Sequence, residues 1–187
     1  MMKKPVLSLA TELLKTQFLT IKRFQADFGS FRKDYDVVVF GPRAGVVAVQ
    51  NDKILMTKQY RFLPNTWSWE IPGGTVDDGE LPELAAQREC LEETGVYCCD
   101  LQPLLTYYPG LDNVDNKTSL FVSRNVKQAH AFVPSESEVT EVAWLSTDDL
   151  LTKIGHGEIG DAFTLIAILS YVQSAQSAAL PQFEFLR

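Results

Sequence analysis

The run Pro72-Gly73-Gly74 interrupts the chain between an aromatic, strand-like segment and a segment of helical character, and it limits the structures open to both. Trp67 to Ile71 reads as a short strand that ends at this break. Leu81 to Thr94 reads as a helix, with Leu84 and Leu91 seven apart on one face. Pro82 is tolerated there only in the first turn, and Gly95 supplies the C-terminal stop.

The rest of the chain surrounds this helix with strands. Phe18 to Val39 reads as two extended segments around a turn at Gly29-Ser30. Ala44–Val49 and Lys53–Thr57 read as a β pair around Asn51-Asp52. Further strands are expected near Leu101–Tyr107, Thr118–Ser123 and Val139–Leu145, followed by a buried helix from Asp161 to Gln173. Several strands, a helix, several strands and a helix predict an α/β fold, a mixed β-sheet sandwiched between helices. With 187 residues, 45% of them apolar and 22% charged, the chain suits one ordered domain with a sizeable core. Residues 1–40 are expected to form an N-terminal β arm and residues 41–187 the main domain.

Several classes are set aside by composition. No apolar run is long enough to span a bilayer, so no membrane partner is expected. Met1 to Ala10 mimics a signal peptide, but its apolar stretch is short, and Glu12 and Lys15 prevent its extension. A cytoplasmic location is the expectation. Cys90, Cys98 and Cys99 are odd in number and clustered, which does not make a disulfide framework. His130 and His156 lie far apart in polar surroundings, so a Cys/His zinc site is not expected. The formal net charge of −7 makes the chain a poor partner for nucleic-acid backbones. A phosphate-bearing small molecule would need a local cation or arginine to offset that charge.

Such a cation is suggested by Arg88-Glu89-Cys90-Leu91-Glu92-Glu93-Thr94-Gly95, which puts three carboxylates within five residues of one helix. Glu89, Glu92 and Glu93 share one side, and like charges at that spacing destabilise a helix by roughly a few tenths of a kcal/mol per pair. Glu92 and Glu93 also sit in the last turn, where the helix dipole disfavours anions. A bound hard ion such as Mg²⁺ or Mn²⁺ explains the cluster, as does a solvated acidic face. Arg88 is placed to offset one of the charges.

The loop before the helix narrows the choice. Gly74, five residues, Glu80, seven residues, then Arg88-Glu89-Cys90-Leu91-Glu92-Glu93-Thr94-Gly95-Val96 resembles the full Nudix box, with every strictly specified position filled. The resemblance implies a Nudix fold whose loop-helix-loop binds divalent metal and the substrate's diphosphate. By motif position, Glu89 and Glu93 are the expected metal ligands, with Glu92 on a further metal or a metal-bound water and the Gly73 carbonyl as another ligand. Glu80 and Arg88 are expected to organise the loop and orient the glutamates, and Cys90 to pack in an apolar slot. The chemistry implied is attack of water on one phosphorus of a P–O–P bridge.

Outside the box the chain is similar to the ADP-ribose and nucleoside diphosphate sugar pyrophosphatase branch. Gln59-Tyr60-Arg61-Phe62, then Trp69-Glu70-Ile71-Pro72-Gly73-Gly74, looks like that branch's approach to the box, although its usual residue at position 73 is alanine. Pro109-Gly110 and Thr164-Leu165-Ile166-Ala167 add to the likeness. The resemblance implies substrate contacts at Arg61, Glu70 and Pro109, with Arg61 on a phosphate and Glu70 on substrate or on Arg61. It implies a catalytic glutamate, Glu138 or Glu136, in the loop before residue 139. Trp67, Trp69, Tyr107 and Tyr108 are candidates to stack on a nucleobase, or else core or dimer contacts. A homodimer completed by the N-terminal arm is expected. The implied activity is cleavage of ADP-ribose or a related nucleoside diphosphate sugar to a nucleoside monophosphate and a sugar phosphate. Alternatives are another nucleotide substrate (a dinucleoside polyphosphate, an oxidised nucleotide or an RNA 5′ end) and a non-catalytic nucleotide-sugar sensor.

Overall fold

The structure, a computed structural model, describes residues 4–129 and 139–176. The chain divides into two compact units, one of Met1–Pro42 with Tyr108–Thr118, the other of Arg43–Tyr107 with Ser119–Arg187.

In the first unit, β1 (Val6–Leu7), β2 (Thr11–Lys15), β3 (Thr20–Asp27) and β4 (Arg32–Val39) form an antiparallel sheet in which both β1 and β2 pair with β3. β3 and β4 pair in continuous register from Thr20 opposite Val39 to Asp27 opposite Arg32. The expected turn is built by Gly29 at φ 84°, whose N–H donates to the Asp27 carboxylate at 2.7 Å. Beyond β4 the sheet is completed by Val114–Asp115, which lies parallel to Val38–Val39.

The second unit is built on β5 (Arg43–Gln50) and β6 (Lys53–Arg61), joined through Asn51 and Asp52, both at positive φ. β7 (Thr66–Glu70) pairs with β6, and β8 (Gly73–Thr75) with β5. Then come α1 (Pro82–Thr94), β9 (Val96–Cys99), β10 (Gln102–Tyr107), β11 (Val114–Asp115, in the first unit), β12 (Thr118–Ser123), β13 (Asn125–Gln128), β14 (Val139–Ser146), α2 (Thr147–Gly155) and α3 (Ala162–Gln176). The main sheet runs β10-β12-β5-β6-β14, and β9 pairs with β13. Ala44 to Val49 are buried throughout, the continuous apolar run of a strand covered on both faces. Val47, Val49, Ile54 and Met56 face a core shared with Leu150 of α2 and Phe163, Ala167 and Ile168 of α3. Ala44, Val46, Ala48 and Leu55 face the other way, onto Ala85, Ala86 and Cys90 of α1. The sheet is thus sandwiched between helices, as the element order implies.

Two features go beyond what the sequence reading gives. The Leu84–Leu91 stripe is not the buried face of α1. Ala85, Ala86, Cys90 and Thr94 are buried, and Leu84 is half exposed. Small side chains let the helix backbone approach β5, and a seven-residue repeat marks a stripe without saying which stripe meets the sheet. α2 was not anticipated; its signal is the capping box of Ser146 and Asp149. Pro82 does open α1, and Gly95 ends it in the left-handed conformation with its N–H donating to the Leu91 carbonyl. Among the described residues no helix is long and apolar enough to cross a membrane.

Candidate active site

α1 brings Glu89 and Glu93 against Gly74 and Gly73, which follow β7. Glu93 accepts from Gln59 Nε2 at 3.1 Å and from the Gly73 N–H at 3.2 Å. Burial pushes its carboxyl up to about 7, against the pull of these two hydrogen bonds. Burial also raises Glu89, which Arg88 holds at 2.9 Å. Glu92 is the exposed member of the trio, reached by Arg88 at 3.4 Å.

Arg88 is the hub that the motif implies. It donates to both Glu80 oxygens at 3.0 and 2.9 Å, to Glu89, and to the Thr75 carbonyl at 2.9 Å. Glu80 also accepts from the Asp77 N–H at 3.0 Å, and the Arg88 guanidinium holds its carboxyl below the usual range. The loop between β8 and α1 is therefore pinned to the helix that it feeds.

Two glycines make room for this arrangement. A Cβ on Gly74 would stand 2.5 Å from the Glu89 carboxyl. A Cβ on Gly73, at φ 157°, would stand 2.5 Å from the Ala44 carbonyl oxygen and 2.7 Å from Gly45 Cα. This packing of β8 on β5 leaves no room for a side chain at position 73.

Gly73, Glu89 and Glu93 thus come together, with Glu92 beside them toward solvent. Among the described residues no group of three His, Cys, Asp or Glu side chains is poised around one point to hold an ion. Arg88, Gln59 and the Gly73 N–H occupy the glutamate oxygens instead. The donor set still fits a hard divalent cation: it is all oxygen, it includes a half-buried carboxyl, and Gly74 leaves the Glu89 carboxyl a cradle.

The β6–β7 ladder brings Arg61 and Glu70 together. Arg61 donates to the two Glu70 oxygens at 2.7 and 2.5 Å, and the Glu70 side chain is 3% exposed. Glu70 therefore holds Arg61. Alternation puts Thr57, Gln59 and Arg61 on one face with Glu70, Ser68 and Thr66, so this polar face runs from Arg61 to the Glu93 partner Gln59. A pocket of about 480 Å³ opens here, with Arg43, Arg61, Phe62, Ser68, Glu70 and Asp161 among its lining residues.

The aromatic candidates do not form one cluster. Trp69 is core, Trp67 is exposed and meets Tyr60 edge-on at 5.6 Å, Tyr107 packs half-buried on the core, and Tyr108 is exposed in the first unit. Trp67 and Trp69 alternate with Ser68 and Glu70 along β7, and Trp67 also lines the pocket that Arg61 enters. Pro109 is exposed and also belongs to the first unit. Glu136 and Glu138 lie outside the described residues.

Sequence reasoning missed Arg43, Gln59 as a partner of Glu93, and Asp161. Arg43 opens β5, and its guanidinium carbon lies 4.0 Å from the centre of the Phe163 ring. Asp161 accepts from the Thr164 N–H at 3.1 Å ahead of α3, and burial raises its carboxyl. An Asp three residues before a helical Thr is a capping signal legible in sequence. Arg43 carries no such signal.

Residues 39–163 match the NUDIX domain family. The chain is 31% identical over 160 residues to a CMP-5′-(N-acetyl-N-hydroxy-3-aminopropyl)phosphonate hydrolase of Streptomyces rubellomurinus, covering 82% of this chain and 77% of that protein. It is 31% identical over 140 residues to an ADP-ribose pyrophosphatase of Bacillus subtilis, covering 74% of this chain and 75% of the relative. A crystal structure of an ADP compounds hydrolase superposes with a TM-score of 0.79 at 15% identity, over 94% of this chain and 96% of that one, and this likeness speaks to the fold. Hydrolases of this family generally use divalent metal ions. With the box intact on α1 and the family matched across most of the chain, the protein belongs to the NUDIX domain family and is an enzyme of it, a pyrophosphohydrolase.

Proposed function

We propose that the enzyme hydrolyses the diphosphate bridge of ADP-ribose or a related nucleoside diphosphate sugar, giving a nucleoside monophosphate and a sugar phosphate. The observation that carries this reading is the half-buried Glu93 carboxyl, held beside Gly73 on the same helix as Glu89. Glu89, Glu93 and the Gly73 carbonyl would hold Mg²⁺ or Mn²⁺, with Glu92 toward a further ion or a coordinated water. When bound, such an ion neutralises phosphoryl oxygens and lowers the pKa of the attacking water.

The chain's own residues do the positioning. Arg88 fixes Glu89 against the loop, and Gln59 orients Glu93. Glu138, with Glu136 as second candidate, is assigned to orient or deprotonate the water. Arg61, steadied by Glu70, presents a cation toward the pocket. The intact glutamates favour catalysis over a sensor role. The B. subtilis relative is named for ADP-ribose and the Streptomyces relative for a CMP-linked phosphonate. Both names describe a nucleotide joined to a second group, which supports a nucleotide-linked small molecule as substrate. A net charge of −7 argues against RNA. Three free cysteines suit a cytoplasmic setting.

The test is turnover of a panel (ADP-ribose, ADP-glucose, GDP-mannose, a dinucleoside polyphosphate and 8-oxo-dGTP) with Mg²⁺, with and without chelator. Chelator-sensitive cleavage of ADP-ribose or a sugar nucleotide is expected. Turnover confined to the other members would move the substrate class, and tight binding without turnover would favour the sensor. Glu93→Gln should abolish metal-dependent turnover while the fold persists, as read by kinetics and circular dichroism. Full activity in that variant would sink the ligand assignment.

A further inference from the structure

We propose that Arg43, stacked on Phe163, anchors the phosphate of the sugar-phosphate half of the substrate, and that the pocket between Arg61 and Asp161 takes its hydroxylated ring. The inference deepens the reading of this site as a nucleoside diphosphate sugar hydrolase and rests on it.

Arg43 differs from the other arginines around the site. Arg88 is committed to Glu80, Glu89 and the Thr75 carbonyl, and Arg61 to Glu70. The Arg43 guanidinium makes no ion pair or hydrogen bond with a described residue; its contact is the Phe163 ring, 4.0 Å away. A guanidinium stacked on an aromatic face keeps its in-plane N–H edges available for bidentate recognition of a phosphate. The stack is preorganised. Phe163 is buried and fills a notch made by two glycines, since a Cβ on Gly45 or Gly73 would stand 2.3 or 2.9 Å from its Cζ. The six residues after Arg43 are buried in β5, which fixes its backbone.

Placement gives this cation a direction. Arg43 pairs with Thr75 of β8, next to Gly74 and Gly73 of the box, and it also lines the pocket that holds Asp161. A diphosphate held at the box would reach Arg43 with its distal phosphoryl group.

The pocket beyond Arg43 has the chemistry of a hydroxyl site. Glu70 is ion-paired with Arg61, whereas Asp161, in the same pocket as Arg43, forms no ion pair with a described residue. Ser68, only 7% exposed, has a hydroxyl with no hydrogen-bond partner among the described residues, and it lines this pocket. A carboxylate and an unpartnered hydroxyl accept from and donate to a polyol, while Asp161 beside Glu70 repels a second anionic group. Exposed Phe62 and Leu63 offer the apolar wall against which a sugar ring packs.

The experiment has two arms. In the first, metal-free protein is titrated with ribose 5-phosphate, ribose and inorganic phosphate by calorimetry or NMR. Ribose 5-phosphate should bind, and Arg43→Ala should weaken it about 10- to 100-fold. Arg43→Lys and Phe163→Leu should weaken it too, since each breaks the stacked fork. Asp161→Asn, which retains a helix-capping side chain, should weaken ribose 5-phosphate and leave inorganic phosphate unaffected. In the second arm, kcat/KM for ADP-ribose is divided by that for the methyl ester of ADP, which lacks the sugar. Asp161→Asn and Ser68→Val should lower this ratio about tenfold. Chelator-sensitive turnover with an unchanged ratio and unchanged ribose 5-phosphate binding would overturn the subsite and leave the proposed function standing. Ribose 5-phosphate binding that depends on Arg43 and Asp161, in an enzyme that cleaves no sugar nucleotide, would keep the subsite and overturn the function.

Discussion

Glu93 is a carboxyl whose burial lifts it to about 7 while the fold still hydrogen-bonds its charged form. Its folded pKa lies above the ordinary 4.5, so the stability it contributes is present below pH 4.5 and is lost as pH rises through 7. In metal-free protein we expect the urea midpoint to fall between pH 4.5 and pH 8, by up to about 3 kcal/mol in unfolding free energy. Glu93→Gln should flatten that fall, and a saturating divalent ion at pH 8 should reverse it in the native protein. Gly73 supports a second expectation. Gly73→Ala forces a Cβ onto the Ala44 carbonyl and should destabilise by about 1–3 kcal/mol in urea unfolding. At this scale, Gly74, Glu80, Arg88 and Glu89 were legible because their spacing along one loop and helix nearly determines their meeting. Arg43 was not legible, because its partner Phe163 lies far along the chain and only the packing of α3 under β5 brings them together.

α1 shows what periodicity tells and what it omits. Pro82, Gly95 and the apolar spacing located the helix, but the burying face is Ala85, Ala86 and Cys90. Apolar patterning favoured the larger leucines, whereas the close approach to β5 selects small side chains. Leu84→Gln should therefore change stability by no more than about 0.5 kcal/mol, while Ala85→Leu should cost about 1–3 kcal/mol and displace the carboxylates. Thermal unfolding checks both, and a near-neutral Ala85→Leu would refute this packing of α1. β5 was easier to read, since a strand covered on both faces has to be apolar at every position. α2 escaped because its nine residues are announced mainly by a cap rather than by a long periodic stretch.

For the molecule as a whole, the element order sufficed to give a mixed sheet between helices, because a sheet with two apolar faces needs a cover on each. The interleaving of the two units was not legible: no local signal tells residues 108–118 to join the first forty-two. That first unit exposes Val6, Leu7, Leu9 and Phe18, more apolar surface than a lone sheet ordinarily shows water. We expect a homodimer, with a light-scattering mass near twice 20.9 kDa at micromolar concentration. Leu9→Glu combined with Phe18→Glu should shift it toward monomer, and a native monomer would end the idea.

The parallel pairing of Val114 with Val38 also sets a timetable for synthesis. About 75 residues separate the two positions, so at a translation rate of about 5–20 residues per second β4 leaves the ribosome roughly 4–15 s before its outer neighbour exists. During that interval the Val38 and Phe40 amides, later bound by the Asn113 and Asp115 carbonyls, form an open edge able to pair with another nascent chain. The growing polypeptide is most exposed to misassembly in the seconds before β11 arrives.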